Sequence, residues 1–244
     1  VNASTFAGCS MIGLLDDRGT SVSRIRADLG SSLLALYVPD RNSRAVADTP
    51  DQSGRNRDPL SKVNTVATDG DGRGNLCYRT DGAASYLEME DNLFDSAAQG
   101  SISIAFNALG GSDVSLLSDG NATDSAVRIF VDVGGFPNNQ IRFKTDDGGG
   151  AEEEIIVSKM RFGEWITLGF EWGPTGKVVY LNGRPVGSDG TKTGAAGVSQ
   201  NAPRIGLNSA TFSVVRLRGF AYCSRSIGAG LHQMLHEAFY GRIG

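Results

Sequence analysis

Residues 162–187, FGEWITLGFEWGPTGKVVYLNGRPVG, restrict the fold more than any other stretch of the chain. From Trp165 the side chains alternate. Ile166, Leu168, Phe170 and Trp172 fall on one side, and Trp165, Thr167 and Glu171 on the other. A period of two is that of a strand lying on a core. Gly173-Pro174-Thr175-Gly176 interrupts it, and residues 177–181 supply a second β-branched and aromatic run. Asn182-Gly183 follows, the pair best suited to the two positive φ angles of a type I′ hairpin turn. Residues 184–187 then return as a third short strand.

Other stretches extend this pattern. With 244 residues the chain can bury a sizeable core, and its 33 glycines against 7 prolines suit many tight turns. A formal charge of −4, a pI near 5.2 and the lack of any basic run argue against a nucleic-acid partner, which needs clustered Lys or Arg. No apolar run approaches the roughly 18–20 residues of a membrane span. The three cysteines, Cys9, Cys77 and Cys223, are too sparse for a disulfide scaffold and read as free thiols. Phe6-Ala7-Gly8-Cys9 lacks the basic and apolar region of a signal before it, so the expectation is a near-complete protein made without a secretion signal.

Residues 1–32 read as an N-terminal arm, either a strap over its own fold or a contact with a neighbouring subunit. Within it, residues 20–29 carry Val22, Ile25 and Leu29 at helical spacing before Gly30. Residues 33–244 read as one domain. LLALY at 33–37 is a first core strand, and a turn-rich segment follows to Asn64. In the tail, Ile227, Leu231, Met234, Leu235 and Ala238 share one helical face.

Seven short elements occur in a recognisable order. They are Ala47-Asp48, Asp51 and Ser53-Gly54-Arg55-Asn56; YRTDGAASYLEMED at 78–91; FDSAAQGSISIAF at 94–106; Leu116-Leu117-Ser118-Asp119-Gly120; GEW…VYLNGRPVG; Arg204-Ile205-Gly206; and VVRLRGFAY at 214–222 before the tail helix. In order and spacing they resemble the laminin-G-like jelly rolls of the concanavalin A-like lectin/glucanase fold. One departure is the insertion of residues 49–52 before the Ser-Gly pair. The resemblance implies an all-β antiparallel β-sandwich of jelly-roll type, preceded by the arm and closed by a short C-terminal helix.

The same fold hosts glucanases and lyases, so carboxylate pairs bear on function. Retaining hydrolysis needs two carboxyls about 5–5.5 Å apart. Glu88 and Glu90 share a strand face, but the acidic residue that this fold's glycosidases carry between them is absent, and a solvated outer strand is the expectation. Glu152-Glu153-Glu154 reads as solubilising charge beside a glycine tip. His232 and His236, the two histidines, lie at i, i+4 without a third metal ligand and read as surface residues flanking the tail helix. Laminin-G-like domains often hold Ca²⁺ at the sandwich rim, and Ca²⁺ takes six to eight oxygens. Asp119, Asn121 and Asp124 are the candidate metal ligands, with Asp69, Asp71, Asp146 and Asp147 as rivals. A sugar site wants an exposed aromatic beside planar polar groups. Phe136, Asn138 and Asn139 are the candidate ligand-binding residues, with Tyr78, Tyr86 and Tyr180 as aromatic candidates on strands.

Together these readings describe a non-catalytic binding or structural module with no assigned catalytic residue. The resemblance extends to single-domain phage virion proteins. It implies a capsid decoration, appendage or tail-fibre component, with other virion proteins or further copies of itself as partners and a surface glycan as target. The alternatives are a polysaccharide hydrolase or lyase and a secreted extracellular lectin.

Overall fold

The computed structural model describes residues 17–39, 49–57, 59–64, 66–70, 76–109, 114–119, 127–132, 140–147, 152–158, 163–198, 202–208 and 211–240. In chain order the elements are α1 (Asp17–Leu29), a short 3-10 turn (Gly30–Ser32), β1 (Leu33–Tyr37), β2 (Ser61–Val63), β3 (Ala67–Gly70), β4 (Leu76–Arg79), β5 (Tyr86–Glu88), β6 (Gly100–Ala108), β7 (Val114–Ser118), β8 (Val127–Asp132), β9 (Gln140–Asp146), β10 (Glu152–Ser158), β11 (Ile166–Gly173), β12 (Gly176–Leu181), β13 (Arg184–Asp189), β14 (Arg204–Ile205), β15 (Leu207–Asn208), β16 (Thr211–Phe212), β17 (Val215–Cys223) and α2 (Gly228–Tyr240). Among the described residues every strand pairing is antiparallel, and the strands form two large sheets and a small β15–β16 ladder.

One sheet runs β13-β12-β11-β6-β17-β4-β3, with β1 sharing the far edge of β17 beside β4. The other runs β10-β9-β8-β7-β14-β5-β2. Their inner faces make one core. Ile102, Ile104 and Phe106 of β6 and Ile166, Leu168, Phe170 and Trp172 of β11 meet Leu117, Ile129, Ile141, Phe143 and Ile155 from the opposite sheet. A bulge in β17 keeps this face apolar. Val215 and Leu217 point inward, the register then shifts before Gly219, and Phe220 and Tyr222 point inward again. The Asn182-Gly183 turn takes positive φ at both positions, 51° and 79°, as the sequence predicts.

A ladder of rings runs through the core. Phe143 stacks on Phe170 (centroids 4.5 Å apart), Phe170 on Trp172 (5.6 Å) and Trp172 on Tyr222 (6.1 Å). The Trp172 indole N–H donates to the Ala97 carbonyl at 2.9 Å. The Trp172 ring lies against the bare backbone of Gly100, where any Cβ would stand well inside contact distance. Gly100→Ala is therefore expected to cost about 1–3 kcal/mol through overpacking, measured as a lower urea midpoint at unchanged slope.

The outer faces of the two sheets differ. That of the β11-containing sheet is covered by both helices. Ile25 and Leu29 of α1 and Met234, Leu235 and Phe239 of α2 bury against Leu36, Ala105, Ala221 and Cys223. Gly169 and Gly219 let His232 and Phe239 approach the sheet backbone. The described part of the arm thus straps its own sandwich, and the helix starts three residues earlier than the spacing predicts, at Asp17. Asp51 fastens the loop beneath it, accepting the N–H groups of Leu36 (3.0 Å), Ser53 (2.9 Å) and Arg57 (3.2 Å). No described element is a helix long and apolar enough to cross a membrane. The outer face of the β8-containing sheet carries no helix among the described residues.

Candidate ligand-binding face

Phe136, Asn138 and Asn139 lie outside the described residues, as do Asn121 and Asp124. Asp119 is described and fully buried, and both its carboxylate oxygens accept the Val127 N–H at 3.2 Å, closing the β7–β8 turn. Asp146 is also buried. No cluster of three His, Cys, Asp or Glu side chains suited to a metal occurs among the described residues. Cys77 and Cys223 are buried free thiols, and burial pushes Cys223 up to about 12, which keeps it unreactive.

The carboxylates weighed for hydrolysis are tied down separately. Glu88 pairs with Arg204 (2.9 Å) and Glu90 with Arg57 (2.7 Å). The Glu152-Glu153-Glu154 run opens strand β10, and all three of its acids are paired. Glu152 meets Lys144 at 2.6 Å and Glu154 meets Arg142 at 3.4 Å on the outer face. Glu153 points to the other side and holds the fully buried Lys177 of β12, joining the two sheets at their flank. Burial lowers the Lys177 pKa, with the Glu153 contact partly opposing it.

His232 corrects the surface expectation. It is 1 % exposed, stacked on Tyr180 at 4.2 Å, because α2 covers the face of β11 that the alternation assigns to solvent. Its Nδ1 meets Ser103 Oγ at 2.7 Å and its Nε2 lies 3.3 Å from Glu171 Oε1. Ser103, His232 and Glu171 resemble a nucleophile–base–acid set in residue type only. Ser103 and Glu171 are 1 % and 5 % exposed, so no substrate reaches them. The Glu171 carboxylate already accepts the N–H groups of Ile227 (2.7 Å) and Gly228 (2.6 Å) and the Tyr180 hydroxyl (3.0 Å). It caps α2. Burial raises the Glu171 pKa, but contact with His232 and the two backbone N–H groups outweigh burial and the net shift is downward. Burial, reinforced by the Glu171 charge, pushes the Tyr180 phenol up. The cluster fastens a helix.

The outer face of the other sheet, which no described helix covers, holds half-buried cations and rings on either side of β7, itself buried throughout. Directly paired residues of antiparallel strands share a face. Glu154, Lys144, Arg128, Ser118, Arg204 and Glu88 pair successively across β10, β9, β8, β7, β14 and β5 and so form one row. Phe130, two residues along β8 from Arg128, sits among three cations. The Arg128 guanidinium lies over its ring at 4.5 Å, Lys144 at 5.6 Å and Arg142 at 5.9 Å. Across β7, Arg204 lies over the Tyr86 ring at 5.2 Å, and Tyr86 leans on Phe212 with centroids 6.5 Å apart. Beside Glu154, a solvent-open groove of about 410 Å³ runs between the edge strands β10 and β13, lined by Ile155, Ile156, Gly187, Ser188, Asp189 and Lys192. Ile156 and Val186 are exposed on these two strands.

Of the tyrosines singled out from sequence, Tyr78 and Tyr180 are buried and Tyr86 is half-buried on this face. Phe130 and its cations lie outside the sequence expectations. Their signal is Val127-Arg128-Ile129-Phe130 followed by Ile141-Arg142-Phe143-Lys144, two successive strands with cations at alternate positions.

No known family profile matches the sequence, and no curated protein does. Solved structures match in fold. The binding domain of Paraclostridial Mosquitocidal Protein 1 aligns with a TM-score of 0.66 at 16% identity, over 87% of this chain and 53% of its own. The binding domain of botulinum neurotoxin DC in complex with SialylT aligns at 0.65 and 13% identity, over 86% and 52%. Botulinum neurotoxin type C, whose cell entry is described as dependent upon interaction with two ganglioside molecules, aligns at 0.64 and 12% identity, over 87% and 52%. The chain thus spans about half the length of each neighbour, and the ligands named for them belong to the longer proteins. What this chain shares with them is the β-sandwich.

Proposed function

We propose that the chain is a non-catalytic attachment module that holds a surface glycan on the outer face of its β8-containing sheet. The observation carrying this reading is Phe130, ringed by Arg128, Arg142 and Lys144 on the sheet face that no described helix covers. Aromatic faces with planar polar groups beside them suit sugar rings, whose C–H faces are apolar and whose hydroxyls are paired donors and acceptors. Glycan recognition by sandwich-containing neighbours supports the class of ligand. The ion-paired state of Glu88 and Glu90 supports binding without cleavage. The laminin-G-like order of motifs supports a place in a phage virion, as a decoration, appendage or tail-fibre component docked to other particle proteins or further copies of itself. A Ca²⁺ at the rim through Asp119, Asn121 and Asp124, and a sugar contact from Phe136, Asn138 and Asn139, belong to the same proposal.

The test is binding of the purified chain to an immobilised panel of bacterial surface glycans. Phe130→Ala is expected to weaken retention at least about 10-fold, as for the central residue of a binding surface, with no release of reducing ends by the wild type. Retention unchanged in Phe130→Ala sinks this face as the site. Mass spectrometry of purified particles tests the virion assignment.

A further inference from the structure

The row that holds Phe130 runs to the edge of its sheet. Phe130, Arg142 and Ile156 pair in turn across β8, β9 and β10 and so share one face. Ile155 and Val157 turn inward to the core, and Ile156 is 47 % exposed. Ile156 also lines the groove between β10 and β13, so the row and the groove meet at one side chain. Phe130 and Ile156 are two strands apart, roughly 9.5 Å at the ordinary inter-strand spacing. The groove, at about 410 Å³, lies at the lower end of the roughly 300–1,000 Å³ of ligand clefts. Its walls are the aliphatic Ile155 and Ile156 and the polar Glu154, Ser188, Asp189 and Lys192. At Gly187 no side chain fills it, although a Cβ there would stand 3.4 Å from Val157 and 3.9 Å from Ile155, in ordinary contact.

The charges along this path are already met within the protein. Glu154 pairs with Arg142 at 3.4 Å, and Asp189 with Lys192 at 3.6 Å. A charged ligand would compete with one of these pairs, whereas hydroxyls can add to both members of each. From this geometry we infer that the glycan is an uncharged chain of at least about three sugar units, with one ring on Phe130, the next crossing Arg142 and another seated in the β10–β13 groove. The inference rests on the glycan-attachment reading and adds a second subsite to it. Ile155 and Ile156 meet the C–H face of the ring in the groove, and Ser188, Asp189 and Lys192 meet its hydroxyls. That ring binds at the raised effective concentration of a tethered ligand.

The experiment is calorimetric titration with malto-, cello- and β-1,3-gluco-oligosaccharide ladders of increasing length, and with an oligogalacturonate ladder as the charged control. In at least one neutral ladder, affinity is expected to rise at least about 10-fold between two units and four. It should change little with salt and exceed that for the oligogalacturonate of equal length. Gly187→Val puts a side chain into the groove without backbone strain, since the φ of Gly187 lies outside the left-handed region. It should abolish the gain while binding of the two-unit sugar persists. Ser188→Ala, at an exposed position, serves if the valine variant unfolds. It should lose about 2- to 10-fold in affinity, and only for sugars long enough to reach the groove.

A gain that survives Gly187→Val, affinity independent of length, tighter binding of the oligogalacturonates, or no binding of any neutral ladder would overturn the inference. If the glycan panel still loses retention with Phe130→Ala, the attachment reading stands without it. If no glycan is retained at all, both fall.

Discussion

Glu171→Ala is expected to lower the stability of the chain by about 3–5 kcal/mol, the cost of removing one member of a buried charged network. Three donors lose their acceptor together. They are the part-buried Ile227 and Gly228 N–H groups at the start of α2 and the buried Tyr180 hydroxyl. Each buried donor left unmade costs about 1–3 kcal/mol, and local relaxation returns part of the sum. Glu171→Gln keeps an acceptor for the two N–H groups and should cost less than half as much. Urea titration reads both. A loss under about 1 kcal/mol in Glu171→Ala would mean that the apolar face of α2 docks the helix unaided. The Glu171 carboxyl titrates below its ordinary 4.5 in the folded chain. Its stabilisation is therefore complete above that pH and is lost as pH falls through the folded value. His236, lowered from its ordinary 6.5 by burial with Glu237 partly opposing, acts in the same direction from a higher starting point. Acid should thus loosen α2, and the gap between wild type and Glu171→Ala should narrow below pH 4.5.

Trp172→Ala is expected to cost about 3–5 kcal/mol through the cavity that it leaves. Trp172 is fully buried at the junction of the ring ladder, between Phe170 and Tyr222, and its N–H holds the loop at Ala97. Trp172→Phe keeps a ring in the ladder but abandons the Ala97 carbonyl, so about 1–2 kcal/mol is expected, mostly from that orphaned acceptor and the unfilled volume. Comparing the two separates ring packing from the hydrogen bond. If both variants lose the same amount, the bond to Ala97 dominates.

The sandwich was legible because alternation is a local property. Ile166, Leu168, Phe170 and Trp172 announce an inward face whatever lies opposite. What covers the other face is not local. Thr167, Glu171 and Ser103 look solvent-facing in their own strands, and only the docking of a helix about sixty residues beyond Glu171 buries them. His232 is buried for the complementary reason. On its own helix it borders the apolar stripe, and the bare backbone of Gly169 gives it room against the sheet. Phe136, the aromatic that the turn pattern offers, lies outside the described residues, while the cations around Phe130 are gathered from two strands by pairing, Arg142 lying opposite Phe130 and Lys144 opposite Arg128. Register, which sequence specifies only through the finished sheet, decides which charges become neighbours.

The placement of β17 bears on how the chain reaches this state. Residues 215–223 form an interior strand, flanked along its length by β6 and on its other edge by β4 and β1. During synthesis, strands made more than a hundred residues earlier have no central partner until this late segment appears. The β11-containing sheet therefore completes by closing long loops rather than by adding hairpins in turn, a topology associated with slow folding. Until then β1, β4 and β6 present unpaired edges, the condition in which β-rich chains associate with one another. Cooling or dilution during expression should favour the folded product over aggregate. A chain cut before Val215 should be recovered as aggregate rather than as a smaller sandwich.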